Sequence, residues 1–211
     1  MATTEFYSSQ EEKLNIISHA IGLVFSLFGW ILLLIHAMQY GDIWHISSFG
    51  VFGLSLVILY TASTAYHSAT EANLRKKLRI FDHASIYILI AGTYTPFALV
   101  TLHGKVGWII FATTWSIALI GVVLKIFFTG KYDKASTVMY VLMGWIIIFA
   151  IKPLMNNLHP SGIFWLVAGG ITYTIGAILY SIKQLKFNHA IFHLFVLAGS
   201  LCHFMAIYYY V

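Results

Sequence analysis

Charge is scarce in this chain. Only 9% of its 211 residues are Asp, Glu, Lys or Arg while 60% are hydrophobic, which excludes a soluble globular domain, where about a quarter are charged. Cysteine is nearly absent: Cys202 stands alone inside an apolar run, so no disulfide can form within one chain and the thiol reads as apolar filling. A basic start is missing too. Residues 1–13 are polar and carry Glu5, Glu11 and Glu12, unlike a secretory signal, and the first apolar run is too long for a signal core, so it is expected to be retained. The last apolar run has no interior lysine, since Lys183 and Lys186 precede it, and this excludes a retinal-type pump built on a Schiff base.

What is present is apolar length. A helix needs about 20 apolar residues to cross the hydrocarbon layer, and seven runs qualify: residues 16–38, 46–66, 80–102, 106–128, 137–151, 162–182 and 190–211. The fifth is short and can borrow residues 132–136 or the Lys152–Pro153 end. The expected fold is an all-α integral membrane protein, one seven-transmembrane helix bundle over residues 1–211, with residues 1–13 as a short polar lead. Alternate loops hold ten cations (Lys13; Arg75, Lys76, Lys77, Arg79; Lys125, Lys131, Lys134; Lys183, Lys186), and the opposite loops hold Lys105 and Lys152. That bias predicts a cytoplasmic N-terminus and an external C-terminus in the cell membrane. The net charge of +5 is read as topology determinants at an anionic leaflet, and no nucleic-acid partner is expected. Trp30, Trp44, Trp108, Trp145 and Trp165, with Tyr208, Tyr209 and Tyr210, suggest an aromatic belt near or below the outer interface.

Ionisable groups inside a bilayer are costly and need partners. At the cytoplasmic ends of four runs lie Glu12, Asn15, Ser18 and His19; Ser63 and His67; Asp82; and His189 and His193. The last two are four residues apart, so their imidazoles share a helix face with about 6 Å of rise between them. An HxxxH pair alone is weak evidence, because histidines near helix ends commonly sit at the interface or bond to neighbouring helices. Depth matching with His67, Ser63 and Asp82 shifts the balance to a metal. Three neutral imidazoles suit Zn2+ and leave one tetrahedral position open, as in catalytic sites. Glu12, Asn15 and His19 share a face of the first helix and are read as supporting residues, although Asn15, Ser18 and Glu12 also suit an ordinary helix start. His203 is fourteen residues beyond His189, roughly 21 Å along the axis, and reads as a buried polar contact near Ser200. His36, His45, His103 and His159 fall toward the opposite surface, and His83 has no assigned role. Gly22 and Ser26, and Ala168, Thr172 and Gly176, recur every four residues as in helix packing. Pro96 should kink the third helix, with Thr93 and Thr95 satisfying the freed carbonyl.

The order Glu12-x-x-Asn15-x-x-x-His19, Ser63-x-x-x-His67, Asp82, His189-x-x-x-His193, with the run Gly92-Thr93-Tyr94-Thr95-Pro96, resembles the hemolysin III family, the bacterial branch of the progestin and adipoQ receptors. The resemblance covers nearly the whole chain. It implies zinc held near the cytoplasmic surface by His67, His189 and His193, with Ser63 and Asp82 contacting its water, and a link to lipid amidase activity, red-cell lysis or membrane lipid homeostasis.

Chemistry alone reaches a similar expectation. Zinc-activated water attacks a carbonyl, with Asp82 as proton acceptor or as an anchor beyond the ligands, and Ser63 orienting the water or bonding the tetrahedral oxygen. At headgroup depth the nearest carbonyls are lipid amides and esters, so membrane lipids are the expected substrate or ligand, and a homo-oligomer stays open. Two other classes compete. A membrane-perturbing lysin predicts leakage that tolerates zinc loss, and a zinc-stabilised sensor predicts a fold that chelation weakens without turnover.

Overall fold

The computed structural model describes residues 7–211; residues 1–6, including Glu5 of the polar lead, lie outside the described residues. Seven helical spans are long and apolar enough to cross a membrane, and the chain is a multi-pass membrane protein. Helices are what such a sequence must form, because backbone N–H and C=O groups in hydrocarbon have no water to bond and must pair within their own segment. The elements are α1 (Ser9–Tyr40), α2 (Ile43–Ser68), α3 (Ala72–Pro96), α4 (Gly104–Phe128), α5 (Asp133–Gly144), α6 (Ile151–Asn157), α7 (Pro160–Ser181) and α8 (Asn188–Tyr210). A π-helical turn, Phe97–Leu102, extends α3, and a 3₁₀ turn, Ile146–Ala150, joins α5 to α6 into the fifth span, Asp133–Asn157. That span lengthens at both ends beyond its apolar run.

The helices pack as a ring. α1 touches α2 and α8, α2 touches α3, α3 touches α4, α8 touches α7, and α5 leans on both α3 and α7. In its most apolar stretch the α3 span is 72% buried, against 17% for the fifth span, so α3 is the central strut and the fifth span a thin outer wall. Close approach of α1 to its neighbours depends on Gly22, where a Cβ would lie 2.7 Å from Leu197 Cδ2 and from Tyr60 Cδ1. Gly176 is likewise pressed against Phe195 of α8. Both belong to the small-residue repeats expected at helix contacts.

Pro96 changes the third span in a way the sequence did not predict. The Thr93 and Thr95 hydroxyls donate to Leu89 O (2.8 Å) and Ala91 O (2.9 Å), not to the carbonyl of Gly92 that the missing proline N–H leaves free. The helix widens instead, and its last turn closes with the His103 N–H on Ala98 O, five residues back, at 3.1 Å. A wider turn absorbs a proline without a break.

The end of the bundle away from the N-terminus carries His36, His45, His103 and His159. His36 packs at a tilt against Tyr208 and His159 stacks on Tyr210, with centroids 4.7 and 5.5 Å apart, and Trp44 meets Trp108 edge-on. Trp145 departs from the belt: it sits mid-span at the α5 break, where its Nε1–H donates to Thr174 Oγ1 at 3.0 Å. Asp42 caps α2, its carboxylate accepting from the Trp44 and His45 amides and contacting the His45 ring. The His45 hydrogen bonds, side chain first, hold the Asp42 carboxyl below the usual aspartate range. A depressed carboxyl contributes stability that is present at neutral pH and lost as pH falls through its lowered value. Asp42→Ala is therefore expected to speed amide exchange at Trp44 and His45 at pH 6. Wild type should converge on the variant only below the ordinary aspartate value of about 3.9, and equal exchange at pH 6 would remove the cap from the account.

Candidate metal centre

Three helix ends converge on the N-terminal side of the bundle. α2 brings His67 in its last turn, and the first two turns of α8 bring His189 and His193. The start of α8 is pinned. Phe187 takes a left-handed conformation (φ 57°) to turn the chain, and the Asn188 amide donates to Tyr180 O at 2.8 Å, at the end of α7. The orientation of His189 is thereby fixed from behind.

The ligating atoms of His67, His189 and His193 all lie within 4.8 Å of one another, and all three residues are buried. His67 Nε2 and His189 Nε2 are 3.1 Å apart. Nitrogens bound tetrahedrally at about 2.0–2.1 Å from one zinc ion stand about 3.3 Å apart, so the donor set fits: the cluster can hold a metal ion.

Around it, α1 supplies the next layer. Glu12 Oε2 lies 2.7 Å from His67 Nδ1, and the other oxygen of Glu12 pairs with Arg75. The Asn15 side chain is 3.4 Å from His67 Nδ1, and its carbonyl oxygen is 3.3 Å from His193 Nδ1, where Ser18 Oγ also lies at 3.3 Å. His19 stacks flat on His193, centroids 3.5 Å apart. Tyr7, just before α1, places its hydroxyl 3.0 Å from His189 Nδ1, and Glu11 accepts from the His189 backbone N–H at 3.3 Å.

Asp82 and Ser63 sit at the wall of a cavity of about 190 Å³ that also reaches His19, His189 and His193. Ser63 Oγ is buried and has no hydrogen-bond partner among the described residues, which marks a place for a water or ligand atom. The Asp82 carboxylate lies against its neighbour: His83 Nδ1 is 3.5 Å from Asp82 Oδ2, while that nitrogen donates to Arg79 O at 2.9 Å. From there the cavity runs between α3, α5, α7 and α8 past Leu89, Phe97 and Val196, and reaches His203. His203 bonds Leu166 O at 3.2 Å. This corrects the expected contact with Ser200, whose hydroxyl is already engaged by Tyr60 and Tyr173 at 2.9 and 2.8 Å.

Several functional groups escaped the sequence reading. Arg75, Arg79 and Lys125 counted as loop cations, yet all three are buried, because α3 begins at Ala72 and carries two arginines inward. Arg75 donates to Tyr66 O and Ala69 O, both at 3.2 Å, closing the end of α2. Arg79 pairs with Asp133 at 2.9 Å, and Lys125 with the same carboxylate at 3.6 Å, tying α3 and α4 to α5. The signal was there: residues 75, 79, 82, 86, 89 and 93 follow helical spacing on one face, unlike exposed Lys76 and Lys77. Tyr7 left no such signal.

A family model described as "Haemolysin-III related" matches residues 7–204. The chain belongs to the haemolysin-III family. Among its members, it is 48% identical over 202 residues to "Hemolysin-3" of Bacillus cereus, covering 96% of this chain and 92% of that protein. It is 44% identical over 204 residues to the "Hemolysin-3 homolog" of Bacillus subtilis (strain 168), covering 97% and 96%. The likeness extends to animals: identity to the human "Monocyte to macrophage differentiation factor" is 30% over 210 residues, 95% of this chain and 84% of that one. The haemolysin-III match takes in Tyr7, Glu12 and the three histidines together.

Proposed function

We propose that this chain, a single seven-helix domain, holds zinc through His67, His189 and His193 at the cytoplasmic side of the cell membrane and hydrolyses amide or ester bonds of membrane lipids. One observation carries the reading: of three buried imidazoles within 4.8 Å of one another, two, His189 and His193, line a largely apolar cavity. The sidedness rests on the ten cations that the sequence assigns to alternate loops.

Zinc in such a donor set supplies Lewis acidity and a water acidified to a pKa of about 7. The chain's own groups do the rest. The apolar wall formed by Leu89, Ile90, Phe97 and Val196 takes the hydrocarbon chain and excludes bulk water, which leaves the linkage carbonyl at the polar end. Asp82, on that wall, accepts the proton released as the carbonyl is attacked and returns it to the leaving nitrogen or oxygen. The Ser63 hydroxyl, without a partner of its own, donates to the oxygen on which charge develops.

The test is release of fatty acid from N-acyl and O-acyl lipids in vesicles holding the purified protein. Wild type should turn over one class, His189→Ala none, and Ser63→Ala about 10²-fold less. Equal release by wild type and His189→Ala would end the hydrolase reading. The name of the Bacillus cereus relative, "Hemolysin-3", favours a second reading, membrane lysis. Dye leakage from the same vesicles, unaffected by His189→Ala and without fatty acid release, would establish it instead.

A further inference from the structure

The partners of the outward ring nitrogens share an origin. Glu12 Oε2 faces His67 Nδ1 at 2.7 Å, well inside the Asn15 amide nitrogen at 3.4 Å; the Tyr7 hydroxyl faces His189 Nδ1, and the Asn15 carbonyl with Ser18 Oγ faces His193 Nδ1. All come from residues 7–18. A carboxylate and a peptide carbonyl only accept hydrogen bonds, so Nδ1 of His67 and of His193 carries the hydrogen. A neutral imidazole has one N–H, and each of these rings is left with a bare lone pair on Nε2. Nε2 of His67 and Nε2 of His189 stand 3.1 Å apart. When the His189 Nδ1–H donates to the Tyr7 oxygen, His189 follows the same pattern; the two Nε2 lone pairs then face each other and repel, and a cation between them removes the repulsion.

We infer that residues 7–18 are the outer shell of the metal centre, holding all three histidines in the tautomer that turns Nε2 inward, and that Tyr7 is its closing member. This deepens the metal reading and rests on it. Tyr7 covers the cluster from the N-terminal side, its ring 4.7 Å from that of His189 and 5.9 Å from that of His67. Its own backbone N–H donates to Glu12 Oε1 at 3.3 Å, so the two residues whose oxygens face His189 and His67 brace each other. Arg75 anchors Glu12 in turn. The Tyr7 phenol thus lies across the side of the cluster that faces the start of α1. Tyr7 and Glu12 are positioning residues: they act on the metal through the rings they hold.

The experiment uses the full-length protein in detergent micelles, loaded with zinc, and follows transfer of zinc to excess chelator. A second reading uses the visible absorption of the cobalt(II)-loaded form, which reports ligand number and geometry. Tyr7→Phe keeps the ring and removes the oxygen; it should release zinc about 10-fold faster, and Glu12→Ala about 100-fold faster. Glu12→Gln should fall between wild type and Glu12→Ala, because the amide oxygen still accepts from Nδ1–H. The cobalt spectrum and the melting temperature of metal-free Tyr7→Phe should match wild type, which separates positioning from general destabilisation. Release rates of Tyr7→Phe and Glu12→Ala within twofold of wild type would overturn the shell. Full zinc occupancy in His193→Ala would overturn the metal centre, and the shell with it.

Discussion

Purified protein is expected to carry about one zinc ion per chain, and His67→Ala or His193→Ala to carry essentially none. Two imidazoles chelate far less well than three, and the oxygens nearest the vacated rings, Glu12 beside His67 and the Asn15 carbonyl and Ser18 hydroxyl beside His193, lie on the Nδ1 side rather than at the inward Nε2 position. His67 and His193 are each 3% exposed or less, so water reaches the gap poorly. His203→Ala is the control: its ring bonds Leu166 O at the far reach of the cavity, and zinc content should be unchanged. Elemental analysis beside protein concentration decides the matter. A full complement in the His67 or His193 variant would mean that the metal, if any, sits elsewhere.

Removing Arg75 is expected to destabilise the bundle more than any substitution outside the histidine cluster discussed so far. The guanidinium is 2% exposed, pairs with Glu12 and lies 4.6 Å over the Tyr66 ring. It also satisfies the last carbonyls of α2. Arg75→Ala leaves a carboxylate and two carbonyls without that donor in a nearly dry place, and breaking a buried pair in this way costs about 3–5 kcal/mol. For a chain of this size that corresponds to a fall in melting temperature on the order of 10 °C. Arg75→Lys keeps the charge but not the fork that reaches both α1 and α2, so it should restore only part of the loss. An unchanged melting temperature in Arg75→Ala would show that the guanidinium contributes nothing net.

The spans and the histidines were legible because both follow from simple periodicities. Seven apolar runs have to be helices in hydrocarbon, and residues four apart on a helix share a face, which predicted the meeting of His189 and His193. Matching depth across runs singled out His67. The wider turn after Pro96 was not legible, since threonine offers its hydroxyl to any carbonyl three or four residues back and the sequence does not say which. Arg75 and Arg79 were misplaced for a different reason. Hydropathy marks where apolar residues begin, whereas α3 begins two turns earlier, at Ala72, and these two charges in those turns point into the bundle. Tyr7 lay beyond reach altogether: its hydroxyl finds His189 across 182 positions of sequence, through a segment that precedes the first helix.

That long separation bears on how the protein is made. His67 and His189 are 122 positions apart, and His193 comes later still, on the final helix. A ribosome adding roughly 5–20 residues per second needs on the order of 10 s to deliver the second imidazole after the first. A site built from all three imidazoles is complete only after residue 193 has been made, and a polypeptide cut short before His189 would reach the membrane with His67 and its Glu12–Arg75 pair but without the two imidazoles of α8.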